Sequence, residues 1–260
     1  MSAFAACGAL MQRDLRAVLR SRSQLYSSVL FPLMLLAILG TGVSEGLDPA
    51  HVRDGDYTSF LVPGMIAMAA LFSSTFSSAS YYQDRDSGML RVMLASPHPP
   101  RVILLGKALA GVSIGCLQAL IVLAVAAAVP EIDLEWQYGV VPGLALALAA
   151  LVLLALLLNG FAQLVATSIG TMQGFHLVMN LVLFPLLFFS GAFFPLEDLP
   201  GWLKLLATAN PISYAVEMIR LAVYADGSGH FGLAVDAAVL SGLALALFAW
   251  GLQRRPSTEP

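Results

Sequence analysis

Six runs of the chain, each near the length of about 20 apolar residues that a helix needs to cross a bilayer, are almost free of charge. They fall at about 25–43, 60–82, 105–129, 139–159, 174–194 and 231–252, and the only Lys or Arg inside them is Lys107, at the edge of the third. Of all 260 residues, 58% are hydrophobic and 11% charged. Soluble domains average about 45–50% and about 25%, so water does not suit this chain. Disorder requires low hydrophobicity and is excluded by the same figures. The runs are too long and too continuous for barrel strands, which alternate over about 10 residues. The expected fold is therefore an all-α integral membrane protein with six transmembrane helices. The first run is not expected to be a signal peptide, since its polar leader is long and no small-x-small cleavage site follows it.

Positive charge predicts the orientation. With a cytoplasmic N-terminus, the inside segments hold Arg13, Arg16, Arg20, Arg22, Arg85, Arg91, Arg101, Lys107, Arg254 and Arg255. The outside segments hold only Arg53, Lys204 and Arg220. Acids distribute the other way: Glu45, Asp48, Asp54, Asp56, Glu131, Asp133, Glu135, Glu197, Asp198, Glu217 and Asp226 fall outside. Six spans then place both termini in the cytoplasm. The small net charge of −3 argues against nucleic acid as a partner. Cys7 and Cys116 lie in an Arg-rich stretch and an apolar run, and form no disulfide framework.

Three segments between the runs have helical signals of their own. Residues 2–22 read as an amphipathic helix, with Phe4, Met11, Leu15 and Val18 on one face and Arg13, Arg16 and Arg20 on the other. Such a helix lies in the headgroup plane or serves as a positive-inside anchor. Between the second and third runs, Ser87 can cap a short helix whose apolar residues are Leu90, Met93 and Leu94. Ser96-Pro97 ends it and Pro100 opens the next helix. This short helix is expected to have no core of its own to bury its apolar stripe, so it either docks on another protein or lies on the membrane. Residues 195–225 are too interrupted to span. Pro200 can start one half-helix carrying Trp202 and Leu206; Asn210-Pro211 can start a second, with Ile212, Val216, Ile219 and Val223 on one stripe and Glu217 paired with Arg220 at i, i+3.

No enzyme site is legible. His51, His98, His176 and His230 are isolated, and no His/Cys/Glu set has metal-ligand spacing. Gly106-Lys107 is no phosphate loop, because that pattern needs Gly at position 101 and Ser or Thr at 108, where the chain has Arg101 and Ala108. The one acid within the runs, Asp236, is read as an outer-interface residue. In the second run Ser73, Ser77 and Ser80 share a face, which suits either close helix packing or the polar lining of a path. The fifth run has Pro185 mid-helix, with Phe184, Phe188, Phe189, Phe193 and Phe194 around and beyond it. Those aromatics suit a core or a site for amphipathic molecules.

Two stretches resemble one family, the type-2 ABC transporter permeases of the drug, polysaccharide and lipo-oligosaccharide export kind. The first runs from Ser190-Gly191-Ala192-Phe193-Phe194-Pro195 through Pro200-Gly201-Trp202 to Asn210-Pro211-Ile212-Ser213-Tyr214 and Arg220. The second is Asp84-Arg85-Asp86-Ser87-Gly88-Met89-Leu90-Arg91, continuing through Leu94-Ala95-Ser96-Pro97 to Leu105-Gly106-Lys107. Phe60-Leu61-Val62-Pro63-Gly64 is a weaker match. Asp86 and Ser87 stand where many members have Glu and other residues, which keeps the charge sign. The resemblance divides the chain into a cytoplasmic interfacial helix at 1–24 and a six-span permease domain at 25–260, with an external re-entrant helix pair at about 199–224. It implies an ATPase-coupling helix formed by Arg85, Asp86, Ser87, Gly88, Leu90, Arg91, Met93 and Leu94, beside the interfacial Arg13, Arg16 and Arg20. It implies that Gly191, Pro195, Pro200, Trp202, Asn210, Pro211, Tyr214, Glu217 and Arg220 belong to the external cap. Ser73, Ser77, Ser80, Phe184, Phe188 and Phe189 are the candidate path lining. The implied partners are two cassette ATPase subunits, a second permease copy or paralogue, and membrane lipid. The implied location is the bacterial inner membrane. No cofactor or metal is expected, since ATP would bind the partner. A scaffold without transport activity and an ion-driven carrier are the competing functions.

Overall fold

Ten helices follow one another in the described residues: α1 (Ala3–Arg20), α2 (Arg22–Ser44), α3 (Tyr57–Asp86), α4 (Met89–Leu94), α5 (Pro100–Ala128), α6 (Val140–Ser168), α7 (Met172–Phe188), α8 (Gly201–Ala209), α9 (Pro211–Val223) and α10 (Leu233–Gln253). No strand occurs among them. The computed structural model describes residues 3–44, 57–130, 132, 134–196, 200–224 and 230–253. Glu45, Asp48, Arg53, Asp54, Asp56, Glu131, Asp133, Glu197, Asp198, Asp226, Arg254 and Arg255, with the side chain of Phe4, lie outside the described set.

Five helices, α2, α3, α5, α6 and α10, are long and apolar enough to cross a membrane. At 1.5 Å per residue, the 30 residues of α3 extend about 45 Å, well beyond a hydrocarbon core of about 30 Å. The fifth apolar run is shorter than expected. The sequence predicts a helix over 174–194, but α7 has 17 residues and stops at Phe188. Gly191, at φ 78°, takes the left-handed conformation that ends the helix. Ser190 Oγ donates to the Leu187 carbonyl, one of those the missing next turn leaves open. Pro185 thus falls in the last turn instead of mid-helix. The fourth run is longer than expected, since α6 continues to Ser168.

The core is built around α3, which α2, α5, α6, α7 and α9 all contact. Leu61, Val62, Met65, Ile66 and Met68 are fully buried on it. Small residues allow the approach. At the crossing of α6 and α10, a Cβ on Gly160 would lie 2.7 Å from the backbone nitrogen of Phe248, so the two backbones touch where only glycine fits. α7 presents the stripe Phe175, Met179, Leu183 and Leu187 inward, at the spacing of one helical face.

The bundle has two distinct ends. One carries α1, α4, the last turn of α3 and the first turns of α5. The other carries α8 and α9, the end of α7 and the starts of α3 and α10.

Candidate functional site

At the first end, α1 lies along α5. Its buried face is Cys7 and Asp14, with Leu10, Met11 and Val18 half-buried, and Leu10 fills the space that Gly106 leaves open. Arg16 and Arg20 are exposed, as their opposite-face position predicts. Arg13 is not purely a surface charge. Its guanidinium donates to Asp14 Oδ1 at 2.6 Å and to Asp84 Oδ2 at 2.7 Å. Burial works against the Arg13 charge, but the hydrogen bonds to Asp84 and Asp14 more than offset it and raise its pKa above the ordinary value. Lys107 completes the network. Its ammonium contacts Asp84, lies 3.4 Å from Asp14 Oδ2 and donates to Ser80 Oγ at 3.1 Å. The Lys107 side chain is only 7% exposed. Two bases and two acids therefore balance in a site that joins α1, α3 and α5, with Lys107 and both acids buried and Arg13 at its wet edge. Sequence reading missed Asp14 and Asp84 as members. The available signals were a lone lysine in an apolar run and an acid in register with Cys7 and Leu10 on the apolar face of α1.

α4 hangs from this network by the link Asp86-Ser87-Gly88. Ser87 does not cap the helix as expected. Gly88, at φ 75°, occupies the N-cap, where a left-handed residue is needed to reverse the chain, and Ser87 Oγ donates to the Asp84 carbonyl. The expectation that α4 has no core of its own is also overturned. Leu90 is 1% exposed and packs into the main core, and Leu94 packs against it half-buried. The stripe is the apolar face that the periodicity predicts, but α3 already covers it. What α4 exposes is Met89 at 45% and Val92 at 69%, beside the exposed Arg91, with Met93 half-buried. Arg85 lies over the Tyr82 ring at 5.1 Å and reaches the exposed Asp86 at 3.4 Å.

The residues expected to line a path fall in two separate places. Ser73 and Ser77 are buried between α3 and α5, opposite Gly115 and Gly111, with Asn159 of α6 close by. Ser80 is committed to Lys107. Beside them a cavity of about 20 Å³ is lined by Ser77, Ser78, Tyr81, Leu104, Lys107, Asn159, Gln163, Ala166 and Thr167. Gln163 donates to the Leu104 carbonyl at its edge, 3.0 Å away. The phenylalanines lie elsewhere. Phe184 meets Phe72 edge-on at 6.0 Å, and Phe72 meets Phe31 at 5.6 Å, so an aromatic cluster links α7, α3 and α2. Phe188 and Phe189 are exposed, as are Leu177 and Leu181 of α7 and Leu30, Met34 and Ile38 of α2.

At the opposite end, most side-chain donors turn to backbone carbonyls, and one carboxylate accepts from backbone amides. Asn210 caps α9, accepting from Ile212 N at 3.0 Å, while its amide donates to the Leu186 carbonyl of α7. Pro211 occupies the first helical position as expected. Tyr214 donates to the Thr208 carbonyl at 2.7 Å, joining α9 to α8. Tyr57 donates to Phe193 O and Tyr224 to Ser59 O, fastening the start of α3. The expected Glu217–Arg220 pair does not form. Arg220 turns to the Gly191 carbonyl, 3.1 Å away, which the end of α7 leaves open, and its guanidinium lies 3.9 Å over the Phe60 ring. Glu217 turns the other way and accepts from Phe231 N at 2.8 Å and Gly232 N at 3.3 Å, the free donors before α10. Pro200 stands at the N-cap of α8, whose main helix neighbour among the described residues is α9 and which leaves Trp202, Leu205 and Leu206 exposed; Pro195 is half-buried beside α7.

Residues 5–224 match the family model described as ABC-2 type transporter. The chain is 30% identical over 176 residues to the Escherichia coli protein named "Probable multidrug ABC transporter permease YbhR", a stretch that covers 66% of this chain and 46% of that protein. The chain thus spans a little under half the length of that relative. It is 27% identical over 213 residues to Nodulation protein J of Rhizobium meliloti, covering 78% and 76% of the two chains. With Nodulation protein J of Rhizobium leguminosarum bv. viciae the identity is 28% over 199 residues, covering 72% and 70%. The family match takes in the charge network, α4 and the α8–α9 pair alike, and the chain belongs to the ABC-2 type transporter family of membrane permeases.

Proposed function

We propose that this chain is the membrane subunit of an ATP-binding cassette exporter. It moves an amphipathic, drug-like or glycan-bearing substrate outward across the bacterial inner membrane, driven by two separate ATPase subunits and paired with a second permease copy or paralogue. The observation that carries this reading is the end formed by α1 and α4. An exposed apolar pair, Met89 and Val92, projects from a six-residue helix whose other face is anchored in the core. Behind it, Asp84 sits one turn before the α4 link and is gripped by Arg13 and Lys107. A push on α4 is then delivered to α1, α3 and α5 together. The charge asymmetry of the sequence supports placing this end in the cytoplasm, with both termini inside and α7 serving as the fifth of six spans. α8 and α9 then form the external cap. The exposed apolar faces of α2 and α7 are the natural surface for the second copy.

The test is the pair Met89→Asp and Val92→Asp in one chain. Capture of a co-expressed cassette ATPase and substrate export should fall together, while the amount of inserted permease stays unchanged. Purified permease alone should hydrolyse no ATP. Wild-type ATPase capture by the double variant would refute α4 as the docking element, and ATP hydrolysis by the isolated chain would refute the division of labour.

A further inference from the structure

We propose that the corner where α1 turns into α2 is a binding site for an anionic phospholipid, whose phosphate is held by Arg16, Arg20 and Arg22 and whose chains run beside Leu19 and Tyr26. Ser21 alone interrupts the two helices, so Arg20 and Arg22 flank the corner and Arg16 lies one turn before it. All three arginines are exposed, and none makes an ion pair with a described residue. The acids of this end are committed elsewhere. Asp14, the only acid of α1, faces Arg13 and Lys107; Asp84 faces the same two bases; Asp86 faces Arg85. α2 carries no acid at all. Three cations are therefore left on the outer side of the corner without a counter-charge from the described residues.

Two rulers set the depth of this corner. From Ala108 to Ala128, α5 has 21 residues without a charge. At 1.5 Å each they extend about 31 Å, the thickness of the hydrocarbon core, so Lys107 marks its edge. α1 is tied to Lys107 through Asp14 and packs on Gly106 through Cys7 and Leu10, which holds it at that edge. α2 is the second ruler. Its 23 residues extend about 34 Å, and Arg22 is the first of them. Both rulers put the three arginines among the headgroups. Leu19, 48% exposed, shares the outer face of α1 with Arg16 and Arg20, and Tyr26, 63% exposed, lies one turn beyond Arg22 along the span. A tyrosine at that level keeps its ring against acyl chains and its hydroxyl at the polar boundary.

The chemistry selects the headgroup. Guanidinium forks pair bidentately with phosphate oxygens. A zwitterionic headgroup brings its own cation to the same place and leaves the three charges uncompensated, whereas an anionic one neutralises them. Near an anionic surface the attraction is about fivefold in affinity per arginine. The lipid also acts on the joint behind it. α1 carries Asp14 of the ion network on its inner face, so a lipid gripping the outer face holds α1 against α5. This inference needs only the membrane placement of the family, not the docking of an ATPase on α4.

The experiment supplies the full chain, purified in detergent, with phosphatidylglycerol and phosphatidylcholine of the same acyl chains, and reads the retained lipid by native mass spectrometry. The wild type should retain phosphatidylglycerol preferentially. Arg16→Gln, Arg20→Gln and Arg22→Gln should each lower that preference by about fivefold. Each single variant leaves most of the positive bias that sets topology, so insertion should hold. Arg16→Lys, Arg20→Lys and Arg22→Lys together should keep most of the preference, since the charge remains. Lys204→Gln, at the opposite end, should leave it unchanged. Equal retention of the two lipids by the wild type overturns the proposal whether or not any variant inserts. So does a preference that survives all three glutamines, or one that Lys204→Gln removes. Displacement of the lipid by an equal concentration of glycerol 3-phosphate would mark a site for soluble anions, and displacement by a cassette ATPase a protein-docking face; either result overturns the lipid site. None of these results depends on whether α4 captures an ATPase, which the Met89 and Val92 variants test separately.

Discussion

The two ends of this bundle solve the same problem with opposite chemistry. Each must tie a helix that does not span to helices that do. The α1–α4 end uses full charges: Arg13 and Lys107 against Asp14 and Asp84, all but Arg13 largely excluded from water. The α8–α9 end uses hydrogen bonds between side chains and backbone, as in Asn210 on Leu186, Arg220 on Gly191, Tyr57 on Phe193 and Glu217 on the Phe231 amide. A buried ion network is geometrically demanding and fails as a unit, because removing one member strands the others without water. Dispersed hydrogen bonds fail one at a time, each at modest cost. The first end is therefore suited to transmitting a displacement as a rigid joint, and the second to accommodating one.

The largest effect should come from Lys107→Met. The variant keeps the stem that packs beside Leu104 and Gln163 but leaves Asp14 and Asp84 with only Arg13. Breaking a buried pair this way costs about 3–5 kcal/mol. The melting temperature in detergent should fall and α1 should exchange amide hydrogen faster. A double variant, Lys107→Met with Asp84→Asn, should recover much of the loss. If Lys107→Met alone leaves stability unchanged, the network is not a unit and the contrast between the ends collapses.

The next test divides α4 by face. Leu90→Ala empties a filled core position and should cost about 2–5 kcal/mol. Val92→Ala changes an exposed residue and should stay within about 0.5 kcal/mol. Equal losses would mean that Val92 is covered within the chain itself.

The long helices were legible because charge-free runs of spanning length leave few alternatives, and five of the six expected runs are long, apolar helices in the structure. Breaks at Asn210-Pro211 and Pro100 were legible because their chemistry is local. Orientation about a helix axis was not. Periodicity identified the Leu90–Leu94 stripe but could not say that α3 covers it. The ion network was hidden for a different reason. Asp14, Asp84 and Lys107 are far apart in the sequence, and no repeat relates them; only the packing of separate helices brings them together.

A smaller effect is expected from Arg220→Leu. This removes the hydrogen bond to Gly191 and the guanidinium over Phe60, together worth about 2 kcal/mol in a dry setting. Arg220→Lys should recover part of it, since an ammonium still reaches a ring face but lacks the planar fork. The loss should appear at the end of α7 and the start of α3, with α1 unaffected, when hydrogen exchange is followed by segment. Spread of the effect to α1 would show that the two ends are coupled through α3 even in the resting chain.

Among the ties at the two ends, the smallest loss should come from Asn210, and it separates two roles of one side chain. Its oxygen caps α9 at Ile212 N, and its amide nitrogen donates to the Leu186 carbonyl. Asn210→Ala removes both and should cost about 1–2 kcal/mol, the sum of a lost cap and an open carbonyl. Asn210→Asp keeps a good capping acceptor but turns an oxygen toward Leu186 O, where two acceptors repel. Asn210→Ser keeps the cap and leaves the carbonyl merely unfilled. The expected order of melting temperature is wild type, then serine, with aspartate below serine despite its equal capping strength. That order would assign the position to the α7–α9 tie as much as to the cap. If aspartate matches the wild type, the cap alone matters, and the contact with α7 contributes nothing to this end of the bundle.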